Sequence, residues 1–131
     1  MGAYAIRSSI APNPQESHLR NRSADFHHTV TQEQLNRYIA AVSFGAELHA
    51  KQFRKATNTP YLSHLLSVAA LVMEDAGTPD EVIAAVLHDS IEDQGDGYQG
   101  GRPALRLRIR DDFGQGVLDI VNAVTDDDEY P

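Results

Sequence analysis

The sequence predicts an all-α domain of about five helices. Three observations point there. Apolar residues recur at steps of three and four through successive segments, the signature of helices with one buried face. Capping signals open two of those segments, and glycine follows others where a helix must stop. The one stretch with strand-like alternation, Leu105 to Ile109, has no second strand to pair with, so the competing repeat of Leu105, Ile109 and Phe113 decides for helix.

Residues 1–29 show no sustained period and read as a loose arm, with His18, His27 and His28 among polar neighbours. The domain proper is expected over residues 30–131. Its first helix begins near Thr31, which pairs with Gln34 as a capping box, while Val30 and Leu35 suit a hydrophobic staple. Leu35, Ile39, Val42, Ala46, His49 and Phe53 form one stripe, and the helix is expected to end on the cationic Lys51-Gln-Phe-Arg-Lys55. His49, on that stripe, reads as a buried, hydrogen-bonded histidine.

A loop over residues 56–60 leads to a second helix, roughly Tyr61 to Ala76, stopped by Gly77. Leu62, Leu65, Leu66, Ala69, Val72 and Met73 fill one face; His64, Val68 and Leu71 fill the other. A helix apolar on both sides is expected to be central, turning His64 inward as either a structural histidine or a ligand. Thr78, Pro79 and Glu81 mark a third helix start, followed by the unbroken apolar run from Val82 to Leu87.

That run delivers the hexad His88-Asp89-Ser90-Ile91-Glu92-Asp93. If the helix continues, positions 88, 89, 92 and 93 fall within about 140° of one face at ~100° per residue. An imidazole and three carboxylates gathered there repel one another, and a divalent cation would offset that repulsion. The competing reading is a solvated acidic helix end, although acidic groups are unfavourable at a helix C-terminus. The glycine-rich residues 95–101 read as a flexible loop, either a lid or a surface insertion. A last helix is expected near Gln115 to Thr125, followed by an acidic tail.

The 131 residues, 41% of them apolar, suffice for one core. A formal net charge of −8 argues against generic binding to nucleic acid or an anionic membrane, yet leaves room for a small phosphorylated ligand in a locally cationic cleft. With no cysteine, disulfides and thiolate metal sites are excluded. No apolar run approaches the ~20 residues of a membrane span and no signal-peptide core is evident, so a soluble cytoplasmic protein is expected.

Inward-facing His64 and the pair His88-Asp89 make three reasonable ligands for a first-row divalent metal. Glu92 and Asp93 follow as groups able to move a proton. Arg54 and Lys55 are cations suited to a polyphosphate. On these residues the sequence resembles the HD-domain metal-dependent phosphohydrolases. More narrowly, His49-Ala-Lys-Gln52-Phe-Arg54-Lys55, Pro60-Tyr61-Leu-Ser-His64, Val68-Ala69, the block from Ala85 to Asp93, Phe113-Gly114 and Val121-Asn-Ala-Val124-Thr125 resemble the guanosine tetraphosphate (ppGpp) hydrolase domains of the Rel/Spo enzymes and their small relatives.

The resemblance implies an HD-type helical bundle that uses manganese (Mn2+) to remove pyrophosphate from the 3′ position of this alarmone in the stringent response. It also implies roles by position. His64, His88 and Asp89 would hold the metal, Glu92 and Asp93 would orient or activate water, and Arg54 and Lys55 would contact the guanine nucleotide or its phosphates.

Two departures stand beside it. Gln94 occupies the place where the family usually has Thr, and the loop to Phe113 is longer. The family's fourth ligand is an Asp on a later helix, which this chain does not reach; Asp126, Asp127 and Asp128 lie too early. The chain is therefore expected to be the N-terminal part of such a domain, with an exposed apolar surface that favours a homo-oligomer. An HD phosphohydrolase for another nucleotide, or an inactive module that binds a nucleotide or partner, remains the alternative expectation.

Overall fold

The computed structural model describes residues 29–126, so the expectations for His18, His27, His28, Asp127 and Asp128 lie outside the described residues. The chain divides into two units, Met1–Thr31 and Gln32–Pro131. Among the described residues, six helices belong to the second: α1 Gln32–Leu48, α2 Leu62–Glu74, α3 Pro79–Leu87, α4 Ser90–Gln94, α5 Gly101–Phe113 and α6 Gln115–Val124. Among the described residues there is no strand, only one isolated bridge between Phe53 and Pro60. The all-α expectation holds, with one short helix more than the sequence suggested.

Helix α3 is the axis of the core. Its start is the expected one: the Thr78 side chain accepts from the Glu81 amide at 3.2 Å while the Glu81 carboxylate accepts from the Thr78 amide at 3.1 Å. Every residue from Val82 to Leu87 is buried. A helix apolar all round needs neighbours all round, and α1, α2 and α6 supply them. Burial of Val82, Ile83, Val86 and Leu87 contributes roughly 1.5–3 kcal/mol for each side chain. Arg37 locks the assembly from outside, donating to Asp80 at 3.0 Å and to the Phe113 carbonyl at 2.8 Å, which joins α1, α3 and the end of α5.

The structure corrects the buried face of α1. Leu35 and Ile39 of the expected stripe are exposed, and the helix buries Ala41, Phe44 and Gly45 instead. Small residues decide this. A Cβ on Gly45 would lie 3.2 Å from Val86 Cγ1, so α1 packs tightly on α3 at a point where it carries no side chain. The end of α1 is also earlier than expected. It stops at Leu48, and residues 49–60 form a hairpin-like turn in which the Arg54 amide donates to Thr59 O at 2.8 Å and the Tyr61 amide to Gln52 O at 2.9 Å.

Helix α2 is less central than its two apolar faces suggested. Leu65 and Ala69 are buried against α3, but Leu66, Leu71 and Met73 are exposed. Its stop is shifted as well. Ala76, not Gly77, adopts the left-handed conformation (φ 59°). The Gly77 amide then reaches Val72 O at 2.8 Å and the Ala76 amide reaches Met73 O at 3.1 Å, closing a Schellman cap. Residues 95–100 are a run of turns rather than a loose loop: the Tyr98 amide donates to Gly95 O, the Gly101 amide to Tyr98 O, and the Tyr98 ring packs on the core. Helices α5 and α6 lie where the sequence placed them, hinged at Gly114 (φ 101°), a backbone conformation that favours glycine.

Candidate metal centre

The hexad does not continue α3. The helix ends at Leu87, His88 and Asp89 form a turn, and α4 begins at Ser90. Asp89, at φ −95° and ψ 0°, lies in the bridge region between helical and extended backbone. The break buries Ser90 and Ile91 and leaves His88 and Asp89 half-buried at the rim of the core. His64 reaches them from the first turn of α2, three residues after Tyr61, so these two rings share one face.

Three side chains converge on a single oxygen. His88 Nε2 lies 3.0 Å and His64 Nε2 3.5 Å from Asp89 Oδ2, and the Tyr61 hydroxyl donates to the same atom at 2.5 Å. Ligand atoms of His64, His88 and Asp89 all lie within 4.8 Å of one another, close enough to surround one cation. The His64 and His88 rings meet edge-on with centroids 5.4 Å apart. His88 Nδ1 is 2.6 Å from the Ala85 carbonyl, which only accepts, so Nδ1 carries the proton. That assignment turns Nε2 toward the cluster as the ligand atom, with a backbone carbonyl fixing the ring behind it. The donor set and its support fit a divalent cation.

Electrostatics agree with a site built to hold positive charge. The hydrogen bond to Asp89 raises His88 above its ordinary value, against the opposing effect of burial. For Asp89, burial alone would push the carboxyl up, but hydrogen bonds from His88 and Tyr61 together hold it down at about 2. Burial raises the Tyr61 hydroxyl most, helped by its bond to Asp89, so it stays protonated and donating.

The remaining expected residues surround this cluster in different ways. Asp93 is the nearer of the two following carboxylates in effect: its charge acts on both His88 and Tyr61. Its Oδ2 accepts from Gln52 Nε2 at 3.0 Å. Glu92 is turned elsewhere, its carboxylate accepting from the Asp126 amide just beyond α6. Arg54 lies close enough to Tyr61 for its charge to act on the hydroxyl. Lys55 is exposed beside it, and both line a shallow depression of about 390 Å³ together with Phe53, Thr57 and Asn58.

Sequence reasoning assigned no role to Tyr61, Gln52 or Gln94. For Tyr61 a signal existed, since a residue three before His64 at a helix start shares its face. The two glutamines meet only through tertiary folding, Gln94 Nε2 donating to Gln52 Oε1 at 2.9 Å. His49 is buried as expected, its Nδ1 2.6 Å from Gln52 Oε1.

A family model for the HD domain matches residues 41–130, a span that contains the whole cluster. The chain belongs to the HD domain family. Membership implies a divalent metal at such a cluster, in accord with the fit of the three ligands. Among curated proteins the chain is similar to guanosine-3′,5′-bis(diphosphate) 3′-pyrophosphohydrolase MESH1 of Xenopus tropicalis, 38% identical over 96 residues, covering 71% of this chain and 49% of that protein. MESH1 of Homo sapiens is 34% identical over 96 residues, with the same coverage of 71% and 49%. The guanosine-3′,5′-bis(diphosphate) 3′-pyrophosphohydrolase of Aquifex aeolicus is 36% identical over 85 residues, 65% of this chain and 11% of that protein. The resemblance seen in the sequence motifs is thus borne out. This chain spans about half the length of the MESH1 relatives it matches. Among its described residues no helix is long and apolar enough to cross a membrane.

Proposed function

We propose that this HD domain takes part in manganese-dependent hydrolysis of guanosine 3′,5′-bis(diphosphate), releasing pyrophosphate from the 3′ position, as a cytoplasmic enzyme of alarmone breakdown. The observation that carries the proposal is the convergence of His64, His88 and Asp89 in a chain similar to proteins named for that reaction.

His64 Nε2, His88 Nε2 and an Asp89 oxygen would hold the cation. When bound, it supplies a Lewis acid that stabilises charge on phosphoryl oxygens and makes an oxygen nucleophile available at neutral pH. The protein's own residues do the rest. Tyr61 holds the Asp89 carboxylate in place by donating to it. Asp93, with Glu92 beside it on α4, accepts the proton of the attacking water. Arg54 meets the diphosphate as a planar fork and Lys55 as a point charge, lowering the repulsion that an acidic protein presents to its substrate.

The test is pyrophosphate release from guanosine tetraphosphate with Mn2+ present. Asp93→Asn should lower turnover by roughly 10²–10⁴, the contribution of a general base, and Glu92→Gln, whose carboxylate is bonded to the Asp126 amide, should lower it less, while metal still binds in both. Arg54→Ala should chiefly raise KM, because it contacts phosphate rather than water. Equal hydrolysis of other nucleotides would shift the reading to a broader phosphohydrolase. Metal and nucleotide binding without turnover would make the domain a binding module.

A further inference from the structure

Building on the reading that Asp93 serves the attacking water, we propose that Gln52 is a positioning residue that holds the Asp93 carboxylate and sets the tautomer of His49, with Gln94 as its brace. Gln52 is well placed for this. Its amide donates to His49 O at 3.0 Å and its carbonyl accepts from the Tyr61 amide at 2.9 Å, so the residue is pinned on both sides at the root of the hairpin-like turn. Its side chain crosses to α4 and meets two adjacent residues there, Asp93 at 3.0 Å and Gln94 at 2.9 Å.

The hydrogen bonds fix one another's direction. An ionised carboxylate only accepts, so the Gln52 amide nitrogen must face Asp93. The amide oxygen then faces both Gln94 Nε2 and His49 Nδ1. An oxygen also only accepts, so His49 must carry its proton on Nδ1. Turning the Gln52 amide over would set oxygen against oxygen at Asp93 and nitrogen against nitrogen at Gln94. The other His49 tautomer would set a lone pair against the Gln52 oxygen and leave an N–H buried without an acceptor, because Nε2 has no partner among the described residues. His49 is 3% exposed, so water does not relieve either penalty.

Gln94 braces the network by donating to Gln52 Oε1 at 2.9 Å, which holds that oxygen away from Asp93. The network also shares a wall with the candidate metal cluster: the His49 ring lies against Tyr61, centroids 5.2 Å apart and planes tilted by 32°, and the Tyr61 hydroxyl holds Asp89. A displaced Gln52 would release Asp93 and loosen that wall.

Long-range 1H–15N spectra of the full chain, free of metal and substrate, read the His49 tautomer directly. The expected result is a single form with the proton on Nδ1. Gln52→Met removes the acceptor facing Nδ1 and gives Nε2 none, so it should convert His49 to a mixture of tautomers. A circular-dichroism melt close to that of the parent would show that the fold is kept. In turnover, Gln52→Met should lower kcat by up to about 10²-fold through misplacement of Asp93, with KM little changed. A parent His49 protonated on Nε2, or a tautomer indifferent to Gln52→Met, would overturn the proposal. Absence of nucleotide hydrolysis by the unsubstituted chain would instead count against the hydrolase reading and leave the tautomer result standing.

Discussion

At the scale of single residues, Asp89 Oδ2 is the point where two imidazoles and a phenol meet, and this makes the site sensitive to pH in two opposed ways. Without metal, His88 is held above its ordinary value, so its bond to Asp89 stabilises the fold fully below about pH 6.5 and fades as pH rises through the raised value. Asp89, depressed to about 2, adds stability that is present above its unfolded value near ~3.9 and is lost as pH falls through about 2. A cation needs the His88 Nε2 that the proton would otherwise occupy. Melting curves between pH 5 and 9 should therefore show the metal-free chain losing Tm as pH rises, while the gain from added Mn2+ grows over the same range. A metal-induced gain largest at pH 5 would contradict this assignment. The three candidate ligands were legible in the sequence because imidazole and carboxylate on an apolar background are rare and chemically loud. Tyr61, Gln52 and Gln94 were not, because neutral side chains carry no charge pattern and their meeting depends on how two turns fold together.

At the scale of elements, period and capping located the helices, and small residues decided how they turn. The Thr78–Glu81 box and the apolar run of α3 read directly as a buried helix. The rotation of α1 was hidden because Gly45 acts by what it lacks: its bare Cα admits Val86, a contact that no count of large apolar residues records. The break at His88 and Asp89 was hidden for a related reason, since every residue there tolerates helix and only packing of Ser90 and Ile91 demands the turn. The cap of α2 yields a stability test. Ala76 occupies a left-handed position that costs an L-residue ~1–2 kcal/mol, partly offset in glycine by its greater chain entropy. Ala76→Gly should stabilise by about 1 kcal/mol, raising Tm by roughly 4–8 °C. Gly77→Ala should do the reverse, because its Cβ would meet Val72 O at 2.9 Å. Chemical denaturation of both variants checks the pair; equal stability would mean the cap is not formed.

At the scale of the whole molecule, the core wraps α3 while α2 leaves large apolar side chains exposed on both of its faces. Leu71 is 66% exposed and Met73 47%, with Leu66 on the same helix also open. Apolar surface of this kind draws a partner or another copy of the chain. Sedimentation at rising concentration should show reversible self-association together with hydrophobic-dye binding, and a Leu71→Glu substitution should diminish both. A monomer that binds no dye would show that these exposed side chains do not draw a partner. The chain's acidity and these exposed apolar residues are general properties; the proposed chemistry is concentrated in one cluster.

That cluster is tested most directly by titrating the purified chain with Mn2+ at neutral pH and following the loss of the free-ion signal by electron paramagnetic resonance. One ion per chain is expected, with binding abolished by Asp89→Ala and weakened by roughly 10–100-fold in Tyr61→Phe, which removes the hydroxyl supporting that ligand. Absence of binding, or binding that survives Asp89→Ala, would contradict a metal centre at His64, His88 and Asp89.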